Sequence, residues 1–506
     1  MIGSAYITVV LGIIVAKGIG FYRDMLFAGV FGTSVQSDIY FQIFGLVNLI
    51  FTGIGVALST LVIKNLNKAE NLGKEKNYAA SFLRKSAFYM TLVAFAVALA
   101  SKPIIGIILP EISGPDLDLA VKMMYAMVPS LVFVVIAYII SGLLQNKKAY
   151  FITSIMSLPF NAVIIATLLI KGVSVFTVGV VTTIGWFLHI VIQLPAFFKN
   201  GYSFTARSEK TKSDISKSTE IVWIFISNMM FQLCVYIDRA FVSSSEGMAS
   251  TFNYASNLFI TIASVFVVAM STVVFPSISK NYEEGNTLYV KKLIGYIIKI
   301  MSAIFLPFLL VVLCFGDEVV RLLYERGAFT AESTSRVSFM FLLYTLGALG
   351  YVSQELFNKV LYLAGKYKYT VIGTISVVAV NVISNFAIKN FVKSDVLVSS
   401  LPLTTVLIAA STSVLLILYA FAVSVGMIRL LGNFFTKSLI KDIAKIVVSA
   451  LLALVSYVAC EKIIPQVVHG YISFLGPLCI CAVVYIASLA VTGALKALLK
   501  MEKGEE

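Results

Sequence analysis

Long, unbroken apolar runs recur along the whole chain, and this one feature excludes most folds. Ile221 to Asp238 is one such run and Leu293 to Phe315 another. A helix needs roughly 20 mostly apolar residues to cross the hydrocarbon core of a bilayer. A transmembrane β-barrel would instead show short segments of alternating polarity. Composition agrees: only 13% of residues are charged, against about 25% in soluble domains. The chain is therefore expected to be an all-α polytopic membrane protein.

Hydropathy and loop signals give about 14 spans. Their expected limits are 5–30, 36–63, 80–100, 119–145, 150–170, 174–198, 218–243, 249–275, 290–315, 335–363, 369–390, 397–427, 440–461 and 471–498. The first is read as a retained span and not as a cleavable signal peptide, because it has no basic leader and Lys17, Arg23 and Asp24 interrupt it. Basic residues gather in alternate loops. Lys64, Lys68, Lys74, Lys76, Arg84 and Lys85 follow the second span, and Lys199, Arg207, Lys210, Lys212 and Lys217 follow the sixth. Lys437, Lys441 and Lys445 lie between the twelfth and thirteenth. The loop after the third span instead carries Glu111, Asp116 and Asp118. The positive-inside rule then places both termini in the cytoplasm. It also explains the net charge of +14 without nucleic acid, which is not expected as a partner.

A weak repeat divides the chain. Val56-Ala57-Leu58-Ser59-Thr60 recurs as Val268-Ala269-Met270-Ser271-Thr272, and Lys148 and Asn161 correspond to Lys368 and Asn381. Both pairs relate one span to the sixth after it, which preserves orientation. The expected organisation is an N-terminal lobe of six spans over 1–200, a cytoplasmic linker over 201–217, a C-terminal lobe of six spans over 218–430, and two further spans with a cytoplasmic tail over 431–506. Internal repeats of this kind are common in transporters. Chance likeness between apolar helices is the alternative.

Charges inside apolar spans are costly and usually functional. Lys17 lies near the middle of the first span, and Arg23 is about 9 Å further along its axis. Gly18 and Gly20 between them are places where the helix can bend. A point charge and a bidentate donor at two depths suit a diphosphate moving outward. The competing reading has Arg23 paired with Asp24 or Asp38, tying the first two spans together. Asp38 also suits a first-turn acid of the second span. Glu355 and Lys359, four residues apart, read as an intrahelical pair. Asp238, Asn381 and Asn385 are hard oxygen donors for a small cation. Their alternative is an Asp238–Arg239 pair with the Asn side chains bonded between helices.

The remaining motifs exclude more than they assign. The five cysteines, Cys234, Cys314, Cys460, Cys479 and Cys481, sit in apolar runs and read as small buried hydrophobes. His189 and His469 are far apart in sequence, and His189 reads as a helix-packing residue. No acid or His cluster suggests a membrane enzyme. No Gly-rich phosphate loop suggests nucleotide-driven pumping, so energy must come from a gradient, the membrane potential or substrate consumption.

Several segments resemble one family. Gly18-Ile19-Gly20-Phe21-Tyr22-Arg23-Asp24, Ala28-Gly29-Val30-Phe31-Gly32-Thr33 and Ser37-Asp38-Ile39-Tyr40-Phe41 are similar to the opening of the MurJ/MviN lipid II flippases, in the multidrug/oligosaccharidyl-lipid/polysaccharide exporter superfamily. Leu323-Tyr324-Glu325-Arg326-Gly327-Ala328-Phe329-Thr330 resembles the family's loop before the tenth span. The resemblance implies a pair of lobes around a cationic cavity, working by alternating access on a polyprenyl-diphosphate saccharide, with lipid II as substrate. It implies substrate-binding roles for Lys17, Arg23, Asp38 and Asn48, and places the family's sodium site on Asp238, Asn381 and Asn385, with Na+ as coupling ion. Membrane lipids are the other expected partners and a monomer the expected state.

This chain also departs from the family's pattern. Many members carry an Arg pair and a Glu in the second span, where Asn48 to Ser59 has no charge. Ser256-Asn257 stands where many carry Asp-Arg. The cavity is expected to be less cationic than in those members. A Wzx-like flippase for another polyprenyl-linked saccharide is the alternative. A cation-coupled drug exporter would need acids where Lys17 and Arg23 stand.

Overall fold

The computed structural model describes residues 2–70, 75–205, 223, 226–227, 229–270, 274–392, 396–463 and 472–499. Helices account for almost all of it. The exception is a minimal antiparallel hairpin pairing Leu397 with Pro402 and Val398 with Leu401. The dominance of helices follows from the solvent: in hydrocarbon, backbone N–H and C=O groups need partners within their own segment.

A helix stands at each expected span. Among the described residues, nine helices are long and apolar enough to cross a membrane, or ten if the pair Ala331–Leu346 and Ala348–Leu363, bent by 44°, is one span. Fourteen crossings remain the sequence expectation, since helices such as Met230–Val242 and Ile472–Val491 stand outside that count. The first helix, Ile2–Phe31, runs continuously through Gly18 and Gly20. The longest helix, Thr287–Tyr324, contains Pro307 and loses helical geometry at Phe315, where φ is −128°. One turn of π-helix, Val47–Phe51, interrupts the second span. Single π turns of this kind are frequent at functional positions. The surface is as apolar as a lipid-facing one must be. Phe95 is 64% exposed and Phe391 87%.

By packing, the chain forms two compact units. The first comprises Met1–Tyr254 and Tyr324–Ser333, the second Ala255–Leu323 and Thr334–Glu506. The expected linker lies outside the described residues from 206 onward, as does Ser271-Thr272 of the repeat. The expected division into six, six and two spans concerns repeat symmetry, a different property from packing.

In the first unit, the segment Tyr324–Ser333 docks on the end of the first helix. Ala328 N–H donates to the Gly29 carbonyl at 2.8 Å. The hydroxyls of Thr33 and Ser333 lie 2.7 Å apart. Tyr254 packs against Phe41, Tyr324 and Phe329, with ring centroids 5.2 to 5.6 Å apart. In the second unit, helices 348–363 and 403–431 approach closely, and Ser413 donates to the Leu343 carbonyl at 2.7 Å. Tyr485 donates to the Ala303 carbonyl at 2.8 Å, tying Ile472–Val491 to Thr287–Tyr324.

Gly32 makes the docking possible. It ends the first helix at φ +57°, and a Cβ there would run into the Ala328 carbonyl oxygen. The left-handed conformation alone costs a non-glycine residue about 1–2 kcal/mol. Gly172 has φ +71° but open space around it. Gly32→Ala is therefore expected to lower the midpoint of thermal unfolding of the purified protein clearly more than Gly172→Ala. Equal shifts would mean that the docked segment contributes nothing.

Candidate functional site: a clamped arginine and a capping aspartate

The first helix carries Arg23 into an almost closed cage. Its Nε and Nη2 donate to Asp24 Oδ1 at 3.0 and 2.6 Å. Its Nη1 donates to Asn161 Oδ1 at 3.1 Å. The guanidinium lies over the rings of Phe44 and Phe160, 5.8 and 5.5 Å from their centroids. Such stacking is favourable for Arg, more so away from water. Side-chain exposure is 16% for Arg23 and 14% for Asp24. Asn161 is itself fixed, since its Nδ2 donates to the Ser157 carbonyl at 3.0 Å. Behind Phe160 stand Trp186 and His189 in edge contact, so His189 is a packing residue, as expected.

Of the two pairings foreseen for Arg23, the structure makes the one with Asp24. Asp38 is engaged elsewhere. It is 3% exposed, and its two oxygens accept from the backbone N–H groups of Gly247 and Ser250, at 2.8 and 2.6 Å. Those groups form the N-terminus of helix Met248–Ala269. Asp38 also occupies the first turn of its own helix, Val35–Leu46, whose N-cap Ser34 accepts from Ser37 N–H. One carboxylate thus answers the positive ends of two helices. Local sequence gives the acid its first-turn place; its second helix starts 209 residues later.

The other expected site residues fall as follows. Lys17 is exposed on the first helix, and open space adjoins it, since a Cβ on Gly18 would meet nothing within 4 Å. Asn48 is exposed in the π turn, where Thr52 donates to its Oδ1 at 3.4 Å. Lys17, Arg23, Asp38 and Asn48 all belong to the first unit. Asp238, Asn381 and Asn385 are fully buried. Asp238 belongs to the first unit and the two Asn residues to the second, where Asn381 donates to Thr412 at 3.0 Å. Arg239 donates to Asn253 at 2.8 Å. Glu355 and Lys359 lie one turn apart on Ala348–Leu363, within electrostatic reach of each other.

Sequence reasoning did not assign Asn161, Phe44 or Phe160 to the site. Asn161 alone had left a signal, as the repeat partner of Asn381. Both are buried amides, on helices Leu158–Leu168 and Tyr367–Phe391.

Helical units of this kind, with an arginine held inside an apolar span, define a multi-spanning membrane protein. The fold agrees with a multidrug resistance MATE family transporter of the MOP superfamily in an inward-facing conformation, at a TM-score of 0.61 and 13% identity, over 81% of this chain and 95% of that one. The chain belongs to the lipid II flippase MurJ family, whose model matches residues 27–475. A solved lipid II flippase MurJ, in an inward closed conformation, shares the fold at a TM-score of 0.80 and 20% identity, over 98% of this chain and all of that one. A probable lipid II flippase MurJ from Buchnera aphidicola subsp. Acyrthosiphon pisum is 23% identical over 75% of this chain and 76% of its own length.

The Asp38 geometry has a consequence for stability. Asp38→Ala leaves two backbone N–H groups without their acceptor, at a cost of roughly 2 kcal/mol or more. Asp38→Asn keeps one acceptor oxygen and turns an amide N–H toward the other donor, so its loss should be smaller. Thermal unfolding of the two variants checks the order. Unchanged stability in both, with transport lost, would return Asp38 to substrate binding.

Proposed function

We propose that this protein moves lipid II, a polyprenyl-diphosphate-linked peptidoglycan precursor, from the inner to the outer leaflet of the bacterial cell membrane by alternating access. The observation that carries this reading is the family match across residues 27–475. The Arg23 cage supports it chemically. A guanidinium is suited to bidentate phosphate contacts, and among the described residues its charge is balanced by Asp24, at 2.6 Å. An arriving diphosphate would compete with that carboxylate and engage the same N–H groups. Lys17, exposed about 9 Å earlier along the helix, would meet the headgroup at the other depth.

Sodium is the proposed coupling ion. Both termini are proposed to be cytoplasmic, on the charge asymmetry of the loops, and the working unit a monomer. The six-plus-six-plus-two division belongs to the same proposal.

The test is lipid II exposure on the outer leaflet, in cells depleted of their own flippase and supplied with this one. The wild type should restore exposure and growth. Arg23→Ala alone would strand Asp24, and breaking a buried pair costs about 3–5 kcal/mol, less where exposure is partial. The paired neutral change Arg23→Gln with Asp24→Asn leaves no orphan charge. It should fold and fail to restore exposure. Lys17→Arg preserves charge and should be tolerated. No exposure from well-folded wild type would redirect the proposal to another polyprenyl-linked saccharide.

A further inference from the structure

The second unit has a basic cavity that the transport reading does not use. Helix Leu403–Leu431 ends at Gly432, and helix Lys437–Ile463 begins five residues later. The elbow between them faces the first turns of Thr287–Tyr324, across a cavity of about 250 Å³. Lys291, Lys292, Lys299, Asn433, Thr436 and Ser438 line it.

The charges around it do not balance. Lys299, with a side chain only 10% exposed, donates to Asp442 at 3.0 Å. Lys445 approaches the same carboxylate at 3.7 Å. Asp442 is therefore already shared by two ammonium groups. Lys291 and Lys292 make no ion pair among the described residues. Gly432, at φ +83°, gives Lys291 its place: a Cβ on Gly432 would lie 2.7 Å from Lys291 Nζ. A cation beside the last turn of Leu403–Leu431 is favourable in itself. That accounts for Lys291, but not for Lys292 or for the hollow.

The polar groups on the elbow leave donors toward the cavity. Asn433 Oδ1 accepts from Phe435 N–H at 2.9 Å, so its amide N–H groups are left to donate. Thr436 Oγ accepts from Leu439 N–H at 3.1 Å as the cap of the following helix, and its own proton remains. The first turn of Lys437–Ile463, where N–H groups lack intrahelical acceptors, lines the same space. Two uncompensated ammonium groups, amide and hydroxyl donors and a helix N-terminus suit a tetrahedral oxyanion.

Its depth says where that oxyanion comes from. Thr287–Tyr324, Leu403–Leu431 and Lys437–Cys460 are all membrane-crossing by length and composition. The cavity sits at the ends of all three, the level of lipid headgroups. Leu288 on its rim is 62% exposed, and Ile440 on the adjoining turn 57%. These are apolar shoulders on which acyl chains can lie.

We propose that this elbow cavity binds a phosphate group, that of an anionic membrane phospholipid, through Lys291 and Lys292. A lipid phosphodiester and free phosphate share that chemistry, and the test separates them. The full-length protein is placed in nanodiscs of phosphatidylglycerol or phosphatidylcholine, with and without inorganic phosphate, and labelled with an amine-reactive reagent. Modification of each lysine is read by mass spectrometry, with Lys280, 74% exposed and within 3.9 Å of Glu284, as reference. Lys291 and Lys292 should react at least about threefold more slowly in phosphatidylglycerol, the protection expected once lipid exceeds its dissociation constant twofold. Lys280 should not. Protection by inorganic phosphate alone would keep the phosphate site and overturn its lipid source. Equal labelling under all conditions would overturn the proposal. Lys291→Gln with Lys292→Gln should also retain less phosphatidylglycerol on purification, while Lys291→Arg with Lys292→Arg retains it. Equal retention by both pairs would count against the site.

Discussion

A carboxylate in a membrane protein's interior must be given donors, and Asp38 shows how this chain supplies them. Two helices begin at it, Val35–Leu46 and Met248–Ala269. The second contributes two N–H groups at 2.8 and 2.6 Å. Each helix end has N–H groups that its own turns cannot satisfy, and the acid has charge that the interior cannot solvate. Each meets the other's need. Around this junction lie the left-handed turn at Gly32, whose carbonyl accepts from Tyr254 at 3.2 Å, and the aromatic group of Phe41, Tyr254, Tyr324 and Phe329. Water is kept from the junction by those rings, which raises the value of its hydrogen bonds.

Arg23 meets the same constraint differently. Neighbours in sequence do not face each other on a helix, yet Arg23 pairs with Asp24. The long arginine side chain makes this possible by curling back, while Asn161 and the rings of Phe44 and Phe160 hold its plane. The result is a neutral pair that can rest in an apolar span. A neutral pair is also one that a stronger anion can reopen. The guanidinium then changes partner and stays compensated, while the displaced Asp24 carboxylate is left to draw it back.

The helices were legible because hydrocarbon leaves few options. Apolar runs set their positions, and loop composition set the breaks. Asp38 was legible as a first-turn acid, but its second helix was not, since nothing near residue 38 refers to residue 247. The Arg23–Asp24 pair was foreseen as an alternative. The amide that completes the cage was visible only as half of a repeat, because a buried Asn announces no partner in one dimension. The docking of Tyr324–Ser333 on Gly29 and Thr33 escaped reading for another reason. It depends on glycine geometry and backbone hydrogen bonds, which leave no charge or hydropathy pattern behind.

The two basic sites differ in a way that follows from their surroundings. Inside a span an uncompensated cation is too costly to keep waiting, so Arg23 carries its own counter-charge and can act only by exchange. At the ends of the spans, water and headgroups stabilise charge, and Lys291 and Lys292 can stand without a carboxylate. Exchange suits a passing substrate, because release restores the Arg23–Asp24 pair and so favours departure. An uncompensated pair of lysines has no internal competitor to drive a ligand off. The first arrangement suits transit, and the second suits a resident anion that keeps the elbow of Leu403–Leu431 and Lys437–Ile463 seated at the headgroup level.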